Sequence, residues 1–243
     1  MARGDRLPGL FFSLFAVIRY LPLPVYLAAP LPDVLRRYPV IAVWTLGIVL
    51  YSLDFAIKAV PLWASPLNVE IGWDHIVPFS AGWAWVYIYA WLLFLLGGGA
   101  MVAQENRQEW PRVRALLIAL TVMQVGAWMV HAAIPTTMPR PDLAAELLDP
   151  GLLIHRIYAT DPPTHVLPSL HMASVFVMAW FFAGGRGALR IAVGTGAVVI
   201  IMLSVMYTKQ HGFVDVITGI GWGYLACRTG CVLSRAVDGD RAC

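Results

Sequence analysis

Six apolar runs of about twenty residues each constrain the fold of this 243-residue chain more than any other feature. The hydrocarbon core of a bilayer is roughly 30 Å thick and requires about 20 mostly apolar residues per helical span. The runs lack the period-two alternation of membrane β-barrel strands. The sequence therefore predicts an all-α, polytopic membrane helix bundle with six transmembrane helices. They cover residues 39–60, 81–101, 113–134, 166–185, 189–206 and 211–233.

The composition supports a single membrane domain. Hydrophobic residues make up 59% of the chain and charged residues 13%, whereas soluble domains carry about 25% charged residues. We expect a six-helix domain over residues 39–233 and a cytoplasmic tail over residues 234–243. The net charge of +3 is small and its basic residues are scattered, so we expect no nucleic-acid partner.

Residues 1–38 are predicted to be an N-terminal interfacial or re-entrant segment. The stretch 8–30 is apolar, but Arg19 and four prolines interrupt it, and proline breaks a helix interior. A secretory signal peptide is the alternative, since Arg3 and Arg6 precede the apolar run. The early interruption at Arg19 and Pro22 makes this reading less favoured.

The positions of Lys and Arg predict the orientation in the membrane, because cytoplasmic loops are enriched in both. One alternating set of connections carries most of the arginines and should be cytoplasmic. It holds Arg36, Arg37, Arg107, Arg112, Arg114, Arg186, Arg190, Arg228, Arg235 and Arg241. The opposite set spans 61–80, 135–165 and 207–210, with only Arg140, Arg156 and Lys209. We therefore expect an inner or plasma membrane protein whose chemistry faces the periplasm or the cell exterior.

His211 and Asp215 form the first candidate catalytic pair. Their spacing of four places both on one face of a helix. The carboxylate can then accept the Nδ1 proton of the imidazole and leave Nε2 free as a nucleophile or base. A His/Asp pair that only ties down the helix start is the structural alternative.

A second histidine and two cations fall on the same predicted side. His171 follows Pro168 and Ser169 at the start of a helix, where first-turn N–H groups can bind an anion. Arg140 and Lys209 could bind phosphate oxygens. Each also has a structural alternative, as an interfacial histidine or as a basic side chain that reaches the water interface.

The order and spacing of these motifs resemble the type-2 phosphatidic acid phosphatase superfamily. The matching motifs are Arg140-Pro141, Pro168-Ser169-x-His171 and His211-x-x-x-Asp215. The resemblance implies a metal-independent membrane enzyme without a cofactor that hydrolyses a lipid phosphate ester through a phosphohistidine. His211 is then the nucleophile, His171 the proton donor and Asp215 the orienting carboxylate. The phosphate would be bound by Arg140, Ser169 and Lys209.

Two departures from the family pattern leave a second activity open. Ala133 and Val205 stand where the family carries Lys and Arg, and Lys209 is the candidate replacement for one of these cations. The loss of these cations is similar to that in the inositol-phosphorylceramide and sphingomyelin synthase branch. The segment Trp73-Asp74-His75-Ile-Val-Pro78 also resembles that branch. This resemblance implies a head-group phosphotransferase with an alcohol or head-group acceptor.

A non-catalytic lipid transporter or binding protein is the alternative of another class. Ionisable residues inside a membrane mark transport paths, and Asp54, Lys58 and Gln124 interrupt the first and third long spans. The other polar candidates cluster on one rim and do not extend through the spans. The sequence therefore favours an enzyme at that rim over a translocation route.

Overall fold

The computed structural model describes residues 37–58, 65–105, 110–143, 153–184 and 187–238. The described residues from Pro39 onward form one compact unit. Its long helices are α1 (Pro39–Lys58), α2 (Trp83–Glu105), α3 (Trp110–Ala133), α5 (Leu170–Ala183), α6 (Ala188–Tyr207) and α7 (Phe213–Asp238), and a shorter helix, α4 (Leu153–Thr160), precedes α5.

Two predicted segments lie partly or wholly beyond this description. Residues 1–36 of the predicted interfacial segment and residues 239–243 of the predicted tail lie outside the described residues. The first part of that tail is helical, since α7 continues to Asp238.

Five of the described helices are long and apolar enough to cross a membrane. They are α1, α2, α3, α6 and α7, and their outward faces carry large apolar side chains such as Leu93, which is 75% exposed, and Leu189, which is 77% exposed. Such faces suit contact with lipid. The protein is therefore an integral membrane protein built mainly of helices, as the apolar runs predict.

The predicted count of six spanning helices is not confirmed. The fourth predicted span corresponds to α5, which has 14 residues, fewer than the roughly 20 that a bilayer core requires. This helix packs against α3, α6 and α7, and Met172, Val175 and Val177 are fully buried. Because protein surrounds α5, its length does not have to match the bilayer.

Two glycines set the distance between α5 and α7. A Cβ added to Gly219 would lie 2.5 Å from the backbone oxygen of Ser169, and one added to Gly223 would lie 2.8 Å from that of Ala173. Small residues four apart allow helix backbones to approach closely in membranes. The contact fixes the start of α5 beside the start of α7.

The connections at the α5 start also contain a small sheet, which the all-α prediction did not include. Strands β1 (Leu67–Asn68) and β2 (Thr136–Thr137) pair in parallel. Thr136 also accepts a backbone hydrogen bond from His165, 2.8 Å long. The sheet thus joins the connection before α2 to the two ends of the connection between α3 and α5.

The arginine-rich connections meet at the opposite end of the bundle. Arg190 at the start of α6 forms two hydrogen bonds with Glu105 at the end of α2, 2.5 and 2.6 Å long. Arg112 at the start of α3 donates to the backbone oxygen of Gly184, after α5. The two sets of connections that the sequence separates therefore lie at the two ends of the helices.

Candidate active site

His171 and His211 lie side by side at the starts of α5 and α7. Nδ1 of His171 is 3.4 Å from Nε2 of His211, and the ring centroids are 5.5 Å apart. Both residues are buried, with 5% and 7% of their surfaces exposed. The structure thus brings together the histidines of two motifs that are 40 residues apart in sequence.

Asp215 lies behind His211, on the side of the ring away from His171. Its Oδ2 is 3.6 Å from Nδ1 of His211 and accepts a 3.0 Å hydrogen bond from the backbone N–H of Gly212. The first distance allows an ion pair but is too long for a hydrogen bond. Such contacts often shorten when substrate binds, so the position of Asp215 is compatible with the predicted orienting role.

Ser169 holds the start of α5. Its hydroxyl accepts a 3.3 Å hydrogen bond from the N–H of Met172, and its own N–H donates to the backbone oxygen of Asp215. The first contact is an N-cap, which satisfies one of the unpaired donors of the first turn. Ser169 therefore has a structural role, and its predicted contact with phosphate remains a prediction.

Arg140 is engaged mainly with protein groups. Its terminal nitrogens donate to the backbone oxygen of Asp161 and to the side-chain oxygen of Gln210, and its guanidinium lies 4.6 Å from the ring centre of Tyr158. Burial lowers the pKa of Arg140 from its ordinary value, although arginine remains charged. Its Nε is buried and has no hydrogen-bond partner among the described residues.

Lys209 and Asp74 tie the connection before α2 to the start of α7. The Lys209 ammonium donates to the backbone oxygens of Asp74 and Val77, both at 2.6 Å. The buried Asp74 carboxylate accepts a 2.6 Å hydrogen bond from the N–H of Phe213, the first residue of α7. This contact caps α7, because a side-chain oxygen pairs with a free first-turn donor. Lys209 therefore retains one donor for the predicted contact with phosphate.

Tyr87 and Trp91 of α2 enclose His171, and sequence reasoning missed both. The Tyr87 hydroxyl is 2.7 Å from Nε2 of His171, and the two aromatic rings lie 4.7 and 4.8 Å from the imidazole, centre to centre. The segment is rich in aromatic residues, but nothing in its pattern distinguishes Tyr87 from Tyr89, which is exposed.

Asp54, Lys58 and Asp161 form a buried ionic cluster on another side of His171. The Lys58 ammonium is 3.2 Å from Asp54 and 2.9 Å from Asp161, and Asp54 also accepts hydrogen bonds from Gln124 and Trp128. Burial raises the pKa of Asp161, but the charges of its basic neighbours, Lys58 foremost, and the hydrogen bond from Lys58 together outweigh burial, so the net pKa lies below its usual value. This cluster and its hydrogen-bond partners thus include all three polar residues that interrupt the predicted spans, which are Asp54, Lys58 and Gln124.

A cavity of about 160 Å³ extends from these polar groups along α1 and α2. Its polar end is formed by Lys58, Asp161, His171 and Ser174. The remaining wall is largely apolar and includes Trp44, Ile48, Leu92, Leu95 and Leu96. Several of these apolar side chains are more than a third exposed on the bundle surface, so the cavity opens toward the membrane.

Two further buried histidines lie near the same end of the bundle. His131 and His165 have ring centroids 5.5 Å apart, and their ring nitrogens have no hydrogen-bond partner among the described residues. Burial, followed by the positive charge of Lys58, lowers the pKa of His165. Both effects favour the neutral form of this imidazole. Within the described ranges no group of three or more His, Cys, Asp or Glu residues could hold a metal ion.

Comparisons with known proteins leave the family undetermined. No protein-family profile matches the chain, and no solved structure does. The chain is 26% identical over 141 residues to an uncharacterized protein of Methanocaldococcus jannaschii. The matched region covers 58% of this chain and 56% of that protein, so the chain spans little more than half the length of this relative.

Proposed function

We propose that this protein is a membrane lipid phosphatase that hydrolyses a phosphate ester through a phosphohistidine on His211. The observation that carries the proposal is the position of His171, which contacts His211 and also lines the apolar cavity between α1 and α2. A lipid phosphate fits this arrangement, because its acyl chain can occupy the apolar part while its phosphate reaches the two imidazoles. The resemblance of the three motifs to lipid phosphatases supports the same reaction.

In the first half-reaction, Nε2 of His211 attacks phosphorus in line with the ester oxygen. The N–P bond forms as the P–O bond to the lipid breaks, and His171 donates a proton from Nδ1 to the departing oxygen. General acid catalysis of this kind contributes about 10²–10⁴-fold. Asp215 stabilises the positive charge on the His211 ring. The rings must part to admit the phosphoryl group, so substrate replaces their 3.4 Å contact.

In the second half-reaction, water attacks the phosphohistidine. His171 accepts a proton from the water as its oxygen bonds to phosphorus, and the N–P bond breaks to release phosphate. We assign the equatorial phosphate oxygens to Arg140, Ser169, Lys209 and the first-turn amides of α5, since preorganised donors stabilise developing charge. Arg140 and Ser169 must then exchange some of their present protein contacts for the phosphate, whereas Lys209 uses its remaining donor.

We further propose that this end of the bundle faces the periplasm or the cell exterior. The proposal follows from the arginines at the opposite end, among them Arg112 and Arg190, because basic residues favour the cytoplasmic side. Lipid phosphate from the outer leaflet could then enter the cavity from the side.

A head-group phosphotransferase is the second candidate. The burial of His171 and His211 favours it, because exclusion of water from a reactive intermediate protects it from hydrolysis. An alcohol or a lipid head group would then take the place of water in the second half-reaction. Both candidates use the same histidines and differ in the product.

The test is turnover of the purified full chain in lipid nanodiscs that contain a long-chain phosphatidic acid. We expect release of inorganic phosphate by the wild-type protein and a loss of at least about 10²-fold in His171→Ala and His211→Ala, as expected for a lost general acid or nucleophile. His75→Ala is the matched control, because the side chain of His75 is 71% exposed. Full turnover in both site variants would refute the proposal. A head-group-exchanged lipid without free phosphate would favour the transferase.

A further inference from the structure

Arg140 is held in place from two sides. On one side its Nη1 donates to the backbone oxygen of Asp161 at 2.5 Å, and its guanidinium lies near the ring of Tyr158 in α4. On the other side its Nη2 donates to the side-chain oxygen Oε1 of Gln210 at 2.6 Å. The second contact ties Arg140 to the segment that carries His211, so the position of this guanidinium relative to His211 depends on Gln210.

The end of α6 fixes Gln210 beside His211. The backbone N–H groups of Gln210 and His211 both donate to the backbone oxygen of Val205, at 2.9 and 3.2 Å. Gln210 is only 1% exposed. Because a guanidinium has donors and no acceptor, the amide oxygen of Gln210 must face Arg140. Gln210 therefore connects Arg140 directly to the residue before the proposed nucleophile.

Local stability alone would favour a carboxylate over an amide at position 210. Nε2 of Gln210 is buried without a hydrogen-bond partner among the described residues, and an unpaired buried donor is costly. A carboxylate has no such donor, and carboxylates often form bidentate ion pairs with arginine. The chain thus carries the less stabilising of two residues of nearly equal size. The property that distinguishes them is charge.

We propose that Gln210 is a positioning residue whose neutral amide oxygen holds Arg140 beside His211 without neutralising the guanidinium charge that binds the phosphate. A phosphate oxygen is anionic and therefore a stronger acceptor than an amide oxygen, so it displaces the amide from Nη2 when substrate binds. A carboxylate at position 210 would instead compete with the phosphate for Arg140. This inference rests on the proposed function, because it requires a phosphate at His211.

The alternative is a purely structural contact between Arg140 and Gln210, which would only join the connection after α4 to the start of α7. A stronger contact would then stabilise the protein and leave its affinity for phosphate unchanged. Under the proposal, Gln210→Glu keeps or raises stability and weakens phosphate binding. The two interpretations therefore differ in a property that does not depend on turnover.

The experiment measures binding of inorganic phosphate to the full chain in nanodiscs by calorimetry, together with thermal unfolding. In Gln210→Glu we expect the Kd for phosphate to rise by about 10–10²-fold, because a contact between charged groups is lost. Its unfolding temperature should equal or exceed that of wild type. Gln210→Met removes the acceptor without adding a charge and should raise Kd by about threefold to tenfold through lost preorganisation. Gln104→Glu is the matched control, since it makes the same change at an exposed position of α2 and should leave Kd unchanged.

Wild-type phosphate affinity in folded Gln210→Glu would overturn the proposal, as would a fall in both its affinity and its unfolding temperature. Weaker binding in Gln210→Glu with wild-type affinity in Gln210→Met would indicate repulsion by the new charge and would refute the positioning role. Turnover of a long-chain phosphatidic acid separates this inference from the proposed function. Normal wild-type turnover with unchanged phosphate affinity in both variants would refute only the role of Gln210. A wild-type protein that neither hydrolyses the lipid nor binds phosphate would refute the proposed function and this inference with it.

Discussion

Substitution of Gly219 by alanine should change the distance between His171 and His211 without contacting either ring. The new Cβ would lie 2.5 Å from the backbone oxygen of Ser169, whereas ordinary contacts begin at 3.4 Å. The start of α5 must therefore move away from α7 by about 0.9 Å, the difference between these distances. Because the obstructing atom belongs to the backbone, no change of rotamer can relieve the contact.

The shift should reach His171, which lies two residues after Ser169. A misplacement of about 1 Å can cost roughly 10²-fold in rate, and overpacking in a core typically costs about 1–3 kcal/mol of stability. We therefore expect Gly219→Ala to lose about 10²-fold in phosphatase turnover while remaining folded. Turnover in nanodiscs and thermal unfolding of the same preparation measure the two effects.

Gly221→Ala is the matched control, because a Cβ at Gly221 would meet nothing within 4 Å. Alanine favours helix over glycine by about 1 kcal/mol, so this variant should keep full turnover and unfold at an equal or higher temperature. Wild-type turnover in folded Gly219→Ala would refute the argument that close α5–α7 packing positions the histidines.

Several other substitutions test single contacts. Lys58→Met should lower stability by about 3–5 kcal/mol, measured by denaturant unfolding, since it leaves Asp54 and Asp161 buried without their cation. Asp74→Asn should lower it by about 1 kcal/mol in the same assay, because a neutral side chain caps α7 less well. Gly47 lines the apolar cavity and has open space around it. Gly47→Phe should therefore raise KM for a long-chain phosphatidic acid and leave KM for a short water-soluble phosphate ester unchanged. Equal changes in KM for both substrates would contradict an acyl-chain site. The net lowered pKa of Asp161 contributes stability that is present above the carboxyl's unfolded pKa and is lost as the pH falls through its folded pKa. Unfolding temperatures measured from neutral to acidic pH should therefore fall less steeply in Asp161→Asn than in wild type.

The end of the bundle at which the candidate site lies can be predicted from the order of the apolar spans and the connections between them. Helices that cross in alternating directions put every second connection at the same end, so the sequence places the motifs of Arg140, His171 and His211 together. Two local details also follow from spacing. Residues four apart share a helix face, which brings Asp215 behind His211, and a serine before an apolar helical run predicts the cap that Ser169 forms.

The remaining features depend on tertiary packing that a sequence pattern does not encode. Tyr87 reaches His171 from a π-helical turn, and the 3.6-residue period used to read helices does not describe that geometry. Asp161 lies in the long connection after α3, where its pairing with Lys58 requires the folded bundle. Lys209 was predicted to bind phosphate from its position alone, but its ammonium already binds two carbonyl oxygens. Helix α5 is shorter than predicted because it begins only at Leu170, after the bend at Leu167 and Pro168 and the Ser169 cap, and ends at Ala183.

The central claim is that His211 becomes covalently phosphorylated while His171 protonates the departing lipid. Its most direct test is a millisecond alkaline quench of the full chain after mixing with a lipid phosphate labelled on phosphorus, followed by mapping of the labelled peptide. Alkaline conditions are chosen because a phosphohistidine survives them better than acid. The account predicts label on the peptide that contains His211 and no label in His211→Ala. Rapid turnover without label on His211, or label on another residue, would contradict it.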